Sequence, residues 1–326
     1  MSEKLLEIKD LFVEFTIYDD VIEAVNGVSL SVDYGETVGL VGETGAGKTT
    51  TALALFGLVP HPPGRVVSGE IIYKGRDVTK LSEKELRGIR GSEISMIFQD
   101  PMTSLNPVLT IGEQIVEVIS LHSDQGREEI ERRSIEMLEL VGIHAGRFHD
   151  YPHQFSGGMK QRVMIAMALA CNPSLLVADE PTTALDVTIQ AQILELMGKL
   201  KKELNTAILM ITHDLGVVCE TCDKVAIMYA GEIMEFGSLD DIFNDMRHPY
   251  TVGLFKSIPD IEIDTDRLEI IPGMMPDPSD LPGGCKFHPR CTQRGDRCDR
   301  KHPPMTEISP GHFIRCNRYD EGGESK

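Results

Sequence analysis

The sequence lacks the segments that would carry a protein into or through a membrane. No run of about 18 apolar residues occurs in its 326 residues, so no segment is long enough to span a bilayer. The first 15 residues have charges where the apolar core of a secretory signal would lie. We therefore expect the protein to stay in the cytosol or on the cytosolic face of a membrane.

Basic residues are scarce relative to acidic ones. The sequence has 32 Lys and Arg against 51 Asp and Glu, which gives a formal net charge of −19. Nucleic-acid binding through bulk charge needs a basic surface, so we expect no nucleic-acid partner. The same balance disfavours adsorption to anionic lipid. It leaves nucleotide binding open, because backbone N–H groups supply much of the phosphate contact in such sites.

What the sequence does contain is an alternation of short apolar strands and helices. Apolar and polar residues alternate over the first 35 residues, which predicts strands and a hairpin. Further strands are predicted at 36–41, 68–73, 175–178, 207–212 and 224–229, and helices at 48–58, 163–171 and 188–204. This alternation is typical of a mostly parallel sheet that is covered on both faces.

A glycine-rich loop between the strand at 36–41 and the helix at 48–58 matches the motif G-x-x-x-x-G-K-S/T. Its glycines let successive N–H groups point at phosphate oxygens, and the helix that follows presents its N-terminus to the same anion. Lys48 would add a charge at the β and γ phosphates, and the Thr49 hydroxyl would ligate Mg²⁺. The predicted nucleotide-binding residues are Gly42, Thr44, Gly45, Ala46, Gly47, Lys48, Thr49 and Thr50.

An acidic pair at the end of the strand at 175–178 supplies the second half of a nucleotide site. Asp179 would hold Mg²⁺ directly or through water, and Glu180 would polarise the attacking water. Taken alone, an apolar run before Asp-Glu also suits a strand that ends at a polar turn. Together with the phosphate loop the pair predicts a site for Mg-ATP, because both elements are needed to neutralise one triphosphate.

Between these two elements, Phe155-Ser156-Gly157-Gly158-Met159 resembles the LSGGQ signature of ATP-binding cassette (ABC) ATPases. Phe155 and Met159 replace Leu and Gln, while the Ser-Gly-Gly core is intact. The resemblance implies an α/β P-loop NTPase of the ABC ATPase type, with a mixed sheet core, an antiparallel β edge and a helical subdomain. It also implies a head-to-tail dimer, in which Ser156, Gly157 and Gly158 of one subunit close on the ATP of the other.

Other positions match ABC landmarks in the order that the family has them. Gln99 resembles the Q-loop glutamine, Asp186 in Ala184-Leu185-Asp186 resembles the D-loop at the dimer interface, and His213 resembles the switch histidine. The resemblance implies catalytic roles for Glu180, His213 and Gln99, and Mg²⁺ contacts from Thr49, Gln99 and Asp179. Phe15 and Tyr18 are both candidates for stacking on adenine, and strand packing is the alternative for each.

The composition changes after about residue 258, where a proline-rich segment at 259–284 reads as a linker. The sequence GCKFHPRC at 284–291 follows it. Together with His248-Pro249-Tyr250-Thr251, it resembles the C-terminal extension of ATPases in dipeptide, oligopeptide and nickel importers. We expect an ABC nucleotide-binding domain at 1–250, its helical subdomain at about 100–160, and a small loop-rich, metal-binding extension at 251–326.

Four cysteines in the extension have the spacing C-x5-C-x6-C-x17-C: Cys285, Cys291, Cys298 and Cys316. In a reducing compartment we do not expect disulfides. Four thiolates in a loop-rich region suit a metal centre, although the short paired C-x2-4-C knuckles of zinc ribbons do not occur there. The resemblance implies a 4Fe-4S cluster. We rank that cluster first, zinc second and free thiols third.

The expected function is an ATP-hydrolysing motor of an ABC importer for peptides, bound peripherally to the cytoplasmic side of the cell membrane. Its expected partners are a second ABC ATPase subunit (a sister chain, or a second copy), two transmembrane permease subunits and, indirectly, an extracellular peptide-binding protein. Two alternatives remain: a nickel importer ATPase of the same group, and a soluble ABC ATPase with an iron–sulfur regulatory role.

Overall fold

The computed structural model describes residues 4–100, 104–183, 185–257 and 270–320. The described residues form two compact units. The first lies within Met1–Leu5, Val32–Thr37 and Lys80–Thr212, and the second within Leu6–Ser31, Val38–Thr79 and His213–Lys326. Ala184 of the predicted D-loop and residues 258–269 of the predicted linker lie outside the described residues.

The elements follow the predicted alternation of strands and helices. The strands are β1 Lys4–Ile17, β2 Asp20–Asp33, β3 Thr37–Val41, β4 Gly64–Tyr73, β5 Arg76–Asp77, β6 Ile94–Ile97, β7 Leu175–Asp179, β8 Ala207–Thr212, β9 Lys224–Tyr229, β10 Glu232–Ser238, β11 Thr306–Ser309 and β12 His312–Ile314. The helices are α1 Lys48–Leu55, α2 Glu83–Ile89, α3 Ile111–Ser120, α4 Arg127–Leu140, α5 Gly157–Leu169, α6 Val187–Leu204, α7 Leu215–Thr221, α8 Leu239–Asn244 and α9 Pro249–Lys256.

The first unit is built on three parallel strands in the order β8-β7-β6. Leu175 of β7 pairs with Ile94 of β6 on one side and with Ala207 of β8 on the other. Every residue of β7 and β8 is buried, as the unbroken apolar runs of these strands require. The parallel register brings the carboxyl ends of β6 and β7 to one edge, where Asp179 ends β7 and Glu180 follows it.

The helices of the first unit include α3 and α4, which lie within the region predicted as a helical subdomain. Thr110 begins α3 with a capping box: its hydroxyl accepts from the Glu113 N–H, and the Glu113 carboxylate accepts from the Thr110 N–H. Both α3 and α4 pack against α5. Within the described residues, no helix is both long and apolar enough to cross a membrane.

The second unit contains most of an antiparallel sheet in the order β2-β1-β4-β5. A further set of strands has the order β11-β12-β10-β9-β3, in which β3 runs parallel to β9 and the other pairs are antiparallel. The strands therefore mix both directions, as the ABC resemblance implies, and an antiparallel edge is present.

The C-terminal extension is not made of loops alone. Its hairpin, β11 and β12, joins the sheet of the second unit through β10, with Glu235 opposite Ile314. The Glu235 carboxylate is fully buried and accepts from the His312 side chain at 2.9 Å and from the backbone N–H groups of Arg247 and His248. This hairpin is not predicted by the sequence, because its strands are only four and three residues long and show no regular apolar alternation.

Candidate nucleotide site

The phosphate loop connects β3 to α1, the context that the motif requires. Gly47 begins α1 in the left-handed region with φ 101°, and no side chain of the described residues caps this helix N-terminus. A Cβ at Gly47 would lie 2.3 Å from the Ala24 carbonyl oxygen, and one at Gly42 would lie 2.1 Å from that of Met228. Both positions therefore require glycine, and the N–H groups that begin α1 are suited to an anion.

The Lys48 side chain folds back over the phosphate loop. It is buried, and its ammonium donates to the carbonyl oxygens of Gly42 and Glu43 at 2.8 and 3.0 Å. The Ala46 N–H also donates to the Glu43 carbonyl. These contacts hold the ammonium beside the backbone of the loop, where the sequence analysis placed the nucleotide phosphates.

The structure brings two predicted catalytic residues together in the first unit. The Gln99 side-chain amide donates to the Glu180 carboxylate at 2.8 Å, and the Glu180 N–H donates to the Ile211 carbonyl at 2.8 Å. Asp179, predicted to hold Mg²⁺, is the last residue of β7 and is buried. The site therefore holds a carboxylate and an amide in fixed relation at the carboxyl end of the parallel strands.

Two features of Glu180 could not be predicted from the sequence. Its φ is +48°, a region that non-glycine residues seldom adopt and that is over-represented at functional sites. The Thr183 hydroxyl donates to the same carboxylate oxygen as Gln99, at 3.0 Å. No motif in the sequence singles out Thr183, and its position three residues after Glu180 is the one signal that could have indicated it.

His213 and Asp186 lie where strands end and helices begin. His213 is exposed and directly follows β8. Asp186 begins α6, and its carboxylate accepts from the Ile189 N–H at 3.0 Å. Asp186 thus has a capping role in the fold besides the dimer role that the resemblance implies.

The Ser156–Gly158 loop begins α5. The Ser156 hydroxyl accepts from the Met159 N–H at 3.4 Å, and a Cβ at Gly158 would lie 2.6 Å from the Ile189 side chain. Phe155, the replacement for the signature leucine, is buried and lies under the guanidinium of Arg147. The replacement therefore keeps a buried apolar anchor ahead of the Ser-Gly-Gly core.

The two candidate aromatic residues have different surroundings. Phe15 is half-buried on β1, and a Cβ at its partner Gly64 would lie 2.6 Å from the Phe15 ring. Tyr18 follows β1 with φ +56°, and 96% of its surface is exposed. Phe15 thus packs against β4, whereas the Tyr18 ring faces solvent.

The four C-terminal thiols are near enough to affect one another. Cys285, Cys298 and Cys316 are buried and Cys291 is half-buried. Burial, with a smaller contribution from the other three thiols, raises the pKa of Cys285 to about 12. Burial also raises the pKa of Cys291 and of Cys316. As placed, no group of three or more His, Cys, Asp or Glu among the described residues could hold a metal ion, so metal binding by the extension is not shown.

Comparison with known proteins identifies both parts of the chain. The ABC transporter family model matches residues 25–183, and the model for the oligopeptide/dipeptide transporter C-terminal region matches residues 234–298. In Bacillus subtilis (strain 168), the oligopeptide transport ATP-binding protein AppD is 50% identical over 98% of each chain. The dipeptide transport ATP-binding protein DppD of the same strain is 48% identical over 99% of this chain and 97% of its own.

A relative from Escherichia coli (strain K12), the oligopeptide transport ATP-binding protein OppD, is 49% identical over 97% of this chain and 93% of its own. Among solved structures, the dimeric ATP-binding cassette MJ0796 bound to ADP and Pi has a TM-score of 0.65 at 29% identity. It covers 72% of this chain and 98% of its own. The predicted ABC-type P-loop fold is confirmed. The chain therefore belongs to the ABC transporter family, in the group of ATP-binding proteins that carry the oligopeptide/dipeptide transporter C-terminal region.

Proposed function

We propose that this ABC-type ATPase is the motor subunit of a peptide importer, and that it couples Mg-ATP hydrolysis to uptake through separate permease subunits. The supporting observation is the 50% identity, over 98% of the chain, to AppD, which is named as an oligopeptide transport ATP-binding protein. The match of the C-terminal region to the oligopeptide/dipeptide transporter model points the same way.

The phosphate loop would bind the nucleotide through backbone N–H groups at the start of α1 and through Lys48. On binding, the ammonium of Lys48 would exchange its two carbonyl acceptors for β and γ phosphate oxygens. Gly42, Thr44, Gly45, Ala46, Gly47, Thr49 and Thr50 complete this proposed site. Tyr18 and Phe15 remain the candidates for stacking on adenine, and the exposed ring of Tyr18 has a face available.

Thr49, Asp179 and Gln99 would hold Mg²⁺, which supplies charge neutralisation on the phosphates when it is bound. A hydroxyl, a carboxylate and an amide fit a hard cation that prefers oxygen ligands. Glu180 would orient and deprotonate the attacking water, and the hydrogen bonds from Gln99 and Thr183 hold its carboxylate in place. His213 would contact the γ phosphate.

The complete site would need a second cassette, either a sister ATPase or a second copy of this chain. Ser156, Gly157 and Gly158 of one subunit would close on the nucleotide of the other, with Asp186 at the interface. The dimeric state named for MJ0796 supports this arrangement. The pair would work with two permease subunits on the cytoplasmic side of the membrane, and an extracellular peptide-binding protein would deliver the cargo.

The four cysteines of the extension would hold a 4Fe-4S cluster as a structural staple, with zinc as the second choice. The nearness of the four thiols, which is great enough for the other three to affect the pKa of Cys285, supports this proposal. Iron and sulfide analysis of protein purified without oxygen tests it. About four irons per chain are expected, and bound zinc or free thiols would contradict the cluster.

Glu180→Gln tests the motor role. The amide keeps the shape of the site but cannot take a proton, so ATP should still bind while hydrolysis falls by about 100-fold or more. Glu195→Gln, on α6, is the matched control and should hydrolyse ATP normally. Near-normal hydrolysis by Glu180→Gln would remove this residue from the proposed role.

Uptake by proteoliposomes tests the cargo. The chain is reconstituted with its co-purified permeases and binding protein, and labelled dipeptides, longer peptides and nickel are supplied in separate assays. ATP-dependent peptide uptake that is lost in Glu180→Gln is expected. Uptake of nickel alone would favour the alternative cargo. ATP hydrolysis that neither permeases nor cargo stimulate, with no uptake of any cargo, would favour a soluble ATPase.

A further inference from the structure

Arg290 belongs to the cysteine-bearing segment, yet its side chain contacts the phosphate loop. It lies in the short 3-10 turn His288–Arg290, directly before Cys291. One guanidinium nitrogen, Nη1, donates to both carboxylate oxygens of Glu43, at 3.1 and 3.0 Å. The Arg290 side chain is only 7% exposed, so this ion pair is shielded from solvent on the arginine side.

Arg290 is itself held in place from the extension. Its Nε donates to the Pro272 carbonyl oxygen at 3.0 Å, and its backbone N–H donates to the Phe287 carbonyl at 3.0 Å. The following Cys291 N–H donates to the His288 carbonyl. The position of the guanidinium is therefore fixed by the same turn that carries the cysteine.

Glu43 is engaged through every polar group that it has. Its N–H donates to the Tyr250 hydroxyl at 3.1 Å, and its carbonyl oxygen accepts from Lys48 and from the Ala46 N–H. Its carboxylate accepts from Arg290. This second residue of the phosphate loop is thus a junction between the loop, α9 and the cysteine-bearing segment.

An aromatic cluster of Tyr229, Tyr250 and Phe287 surrounds the junction. The ring centroids lie 4.7 to 5.3 Å apart. Burial raises the pKa of Tyr250 and also that of Tyr229, so both hydroxyls stay neutral. The Arg290 side chain is 7% exposed and that of Glu43 is 29% exposed, so water screens this charge pair less than it would screen a fully exposed one.

Glu43 places a negative charge in a loop that must accept a triphosphate. Resting on the nucleotide site proposed above, we propose that Arg290 is a positioning residue for ATP binding. It neutralises Glu43 and fixes the start of the phosphate loop, so that the cysteine-bearing segment helps to set nucleotide affinity. Without Arg290, the Glu43 carboxylate would repel the phosphates and would lose its anchor.

A double-mutant cycle on the full chain tests this proposal, with the dissociation constant of a fluorescent ATP analogue measured with Mg²⁺. Arg290→Met should weaken binding by about tenfold, since an uncompensated charge is left beside the phosphates. Glu43→Gln alone should weaken binding by no more than about threefold, because it removes the negative charge but keeps a side-chain oxygen that can accept from Arg290. Glu43→Gln added to Arg290→Met should restore binding to within about threefold of the unchanged chain.

Arg294→Met is the matched control. It removes an ion pair with Asp299 on the surface of the same C-terminal region, and it should leave the dissociation constant within about twofold. Thermal unfolding is recorded for each variant. If Arg290→Met does not fold, Arg290→Lys replaces it: the retained charge should keep binding within about threefold of the unchanged chain.

The recovery in the double variant separates charge neutralisation from simple damage to the fold, because damage would not be repaired by a second substitution. Three results would each overturn the proposal. They are unchanged ATP affinity in Arg290→Met, a double variant that binds ATP as weakly as Arg290→Met, and loss of ATP binding in Arg290→Lys. The unchanged chain provides the separate check. If it bound no ATP, the proposed nucleotide site itself would be wrong. If it bound ATP with a dissociation constant that did not change on substitution of Arg290, only this inference would be rejected.

Discussion

The phosphate loop and the Ser156–Gly158 loop both lead into a helix, but they use their residues in different ways. Before α1, Gly47 adopts φ 101°, and within the described part of the chain no side chain caps the helix. Before α5, Ser156 is extended and its hydroxyl accepts from the Met159 N–H. The first helix start is thus suited to an external anion, and the second has its own internal cap.

The glycines of the two loops are required by different neighbours. Gly47 lies against a backbone carbonyl, that of Ala24, which cannot move without distorting β2. Gly158 lies against the Cγ2 methyl of Ile189, a β-branched side chain that has little rotamer freedom within helix α6. Gly47 therefore preserves the shape of the phosphate loop, while Gly158 preserves the packing of α5 on α6.

The largest effect is expected for Gly47→Ala. The added Cβ would meet the Ala24 carbonyl at 2.3 Å in a backbone region that alanine rarely adopts, so the cradle must distort. ATP affinity measured by equilibrium dialysis should fall by about 100-fold or more. Gly45→Ala is the control: its φ is also positive, at +85°, but no described atom lies within 4 Å of its Cβ. Equal losses in both variants would show that the carbonyl contact is irrelevant.

A smaller and different effect is expected for Gly158→Ala. Its Cβ would press on Ile189 at 2.6 Å and shift the loop, so hydrolysis should fall by about tenfold while ATP affinity stays within about twofold. Adding Ile189→Ala should relieve the contact and restore part of the rate. Steady-state hydrolysis and dialysis measure the two quantities. Loss of ATP affinity in Gly158→Ala would show that the Ser156–Gly158 loop, like the phosphate loop, determines ATP affinity, and would contradict the proposed difference between the two loops.

The smallest effect is expected for Ser156→Ala. Removal of the cap should lower the free energy of unfolding by about 1 kcal/mol or less, since the bond is long at 3.4 Å. Urea unfolding measures this change. Ser82→Ala removes the cap of α2 and is the matched control, with a similar cost in stability but no change in hydrolysis. If both variants hydrolysed ATP normally, Ser156 would be a helix cap and nothing more.

Local chemistry made the motifs of the candidate nucleotide site recognisable in the sequence, and the roles of their residues stay predictions. The phosphate loop, the acidic pair and the Ser-Gly-Gly core each need a few residue types at fixed spacing, and the strands and helices around them follow from apolar patterns. By contrast, Arg290 and Glu43 are 247 residues apart, so no sequence pattern could pair them. The positive φ of Glu180 and the hydrogen bond that its carboxylate accepts from Thr183 depend on the path of the backbone at the end of β7. The spacing of residues in the sequence does not reveal that path.

The hairpin of β11 and β12 makes the end of the chain part of the ATPase core. Its His312 is the side-chain donor to the buried Glu235, and β12 covers one edge of β10. A chain cut after residue 250 would lose that donor and expose a strand edge to intermolecular pairing. Grafting the tail of one importer ATPase onto another therefore replaces part of the interior, and the buried contacts on both sides of the junction must be exchanged together.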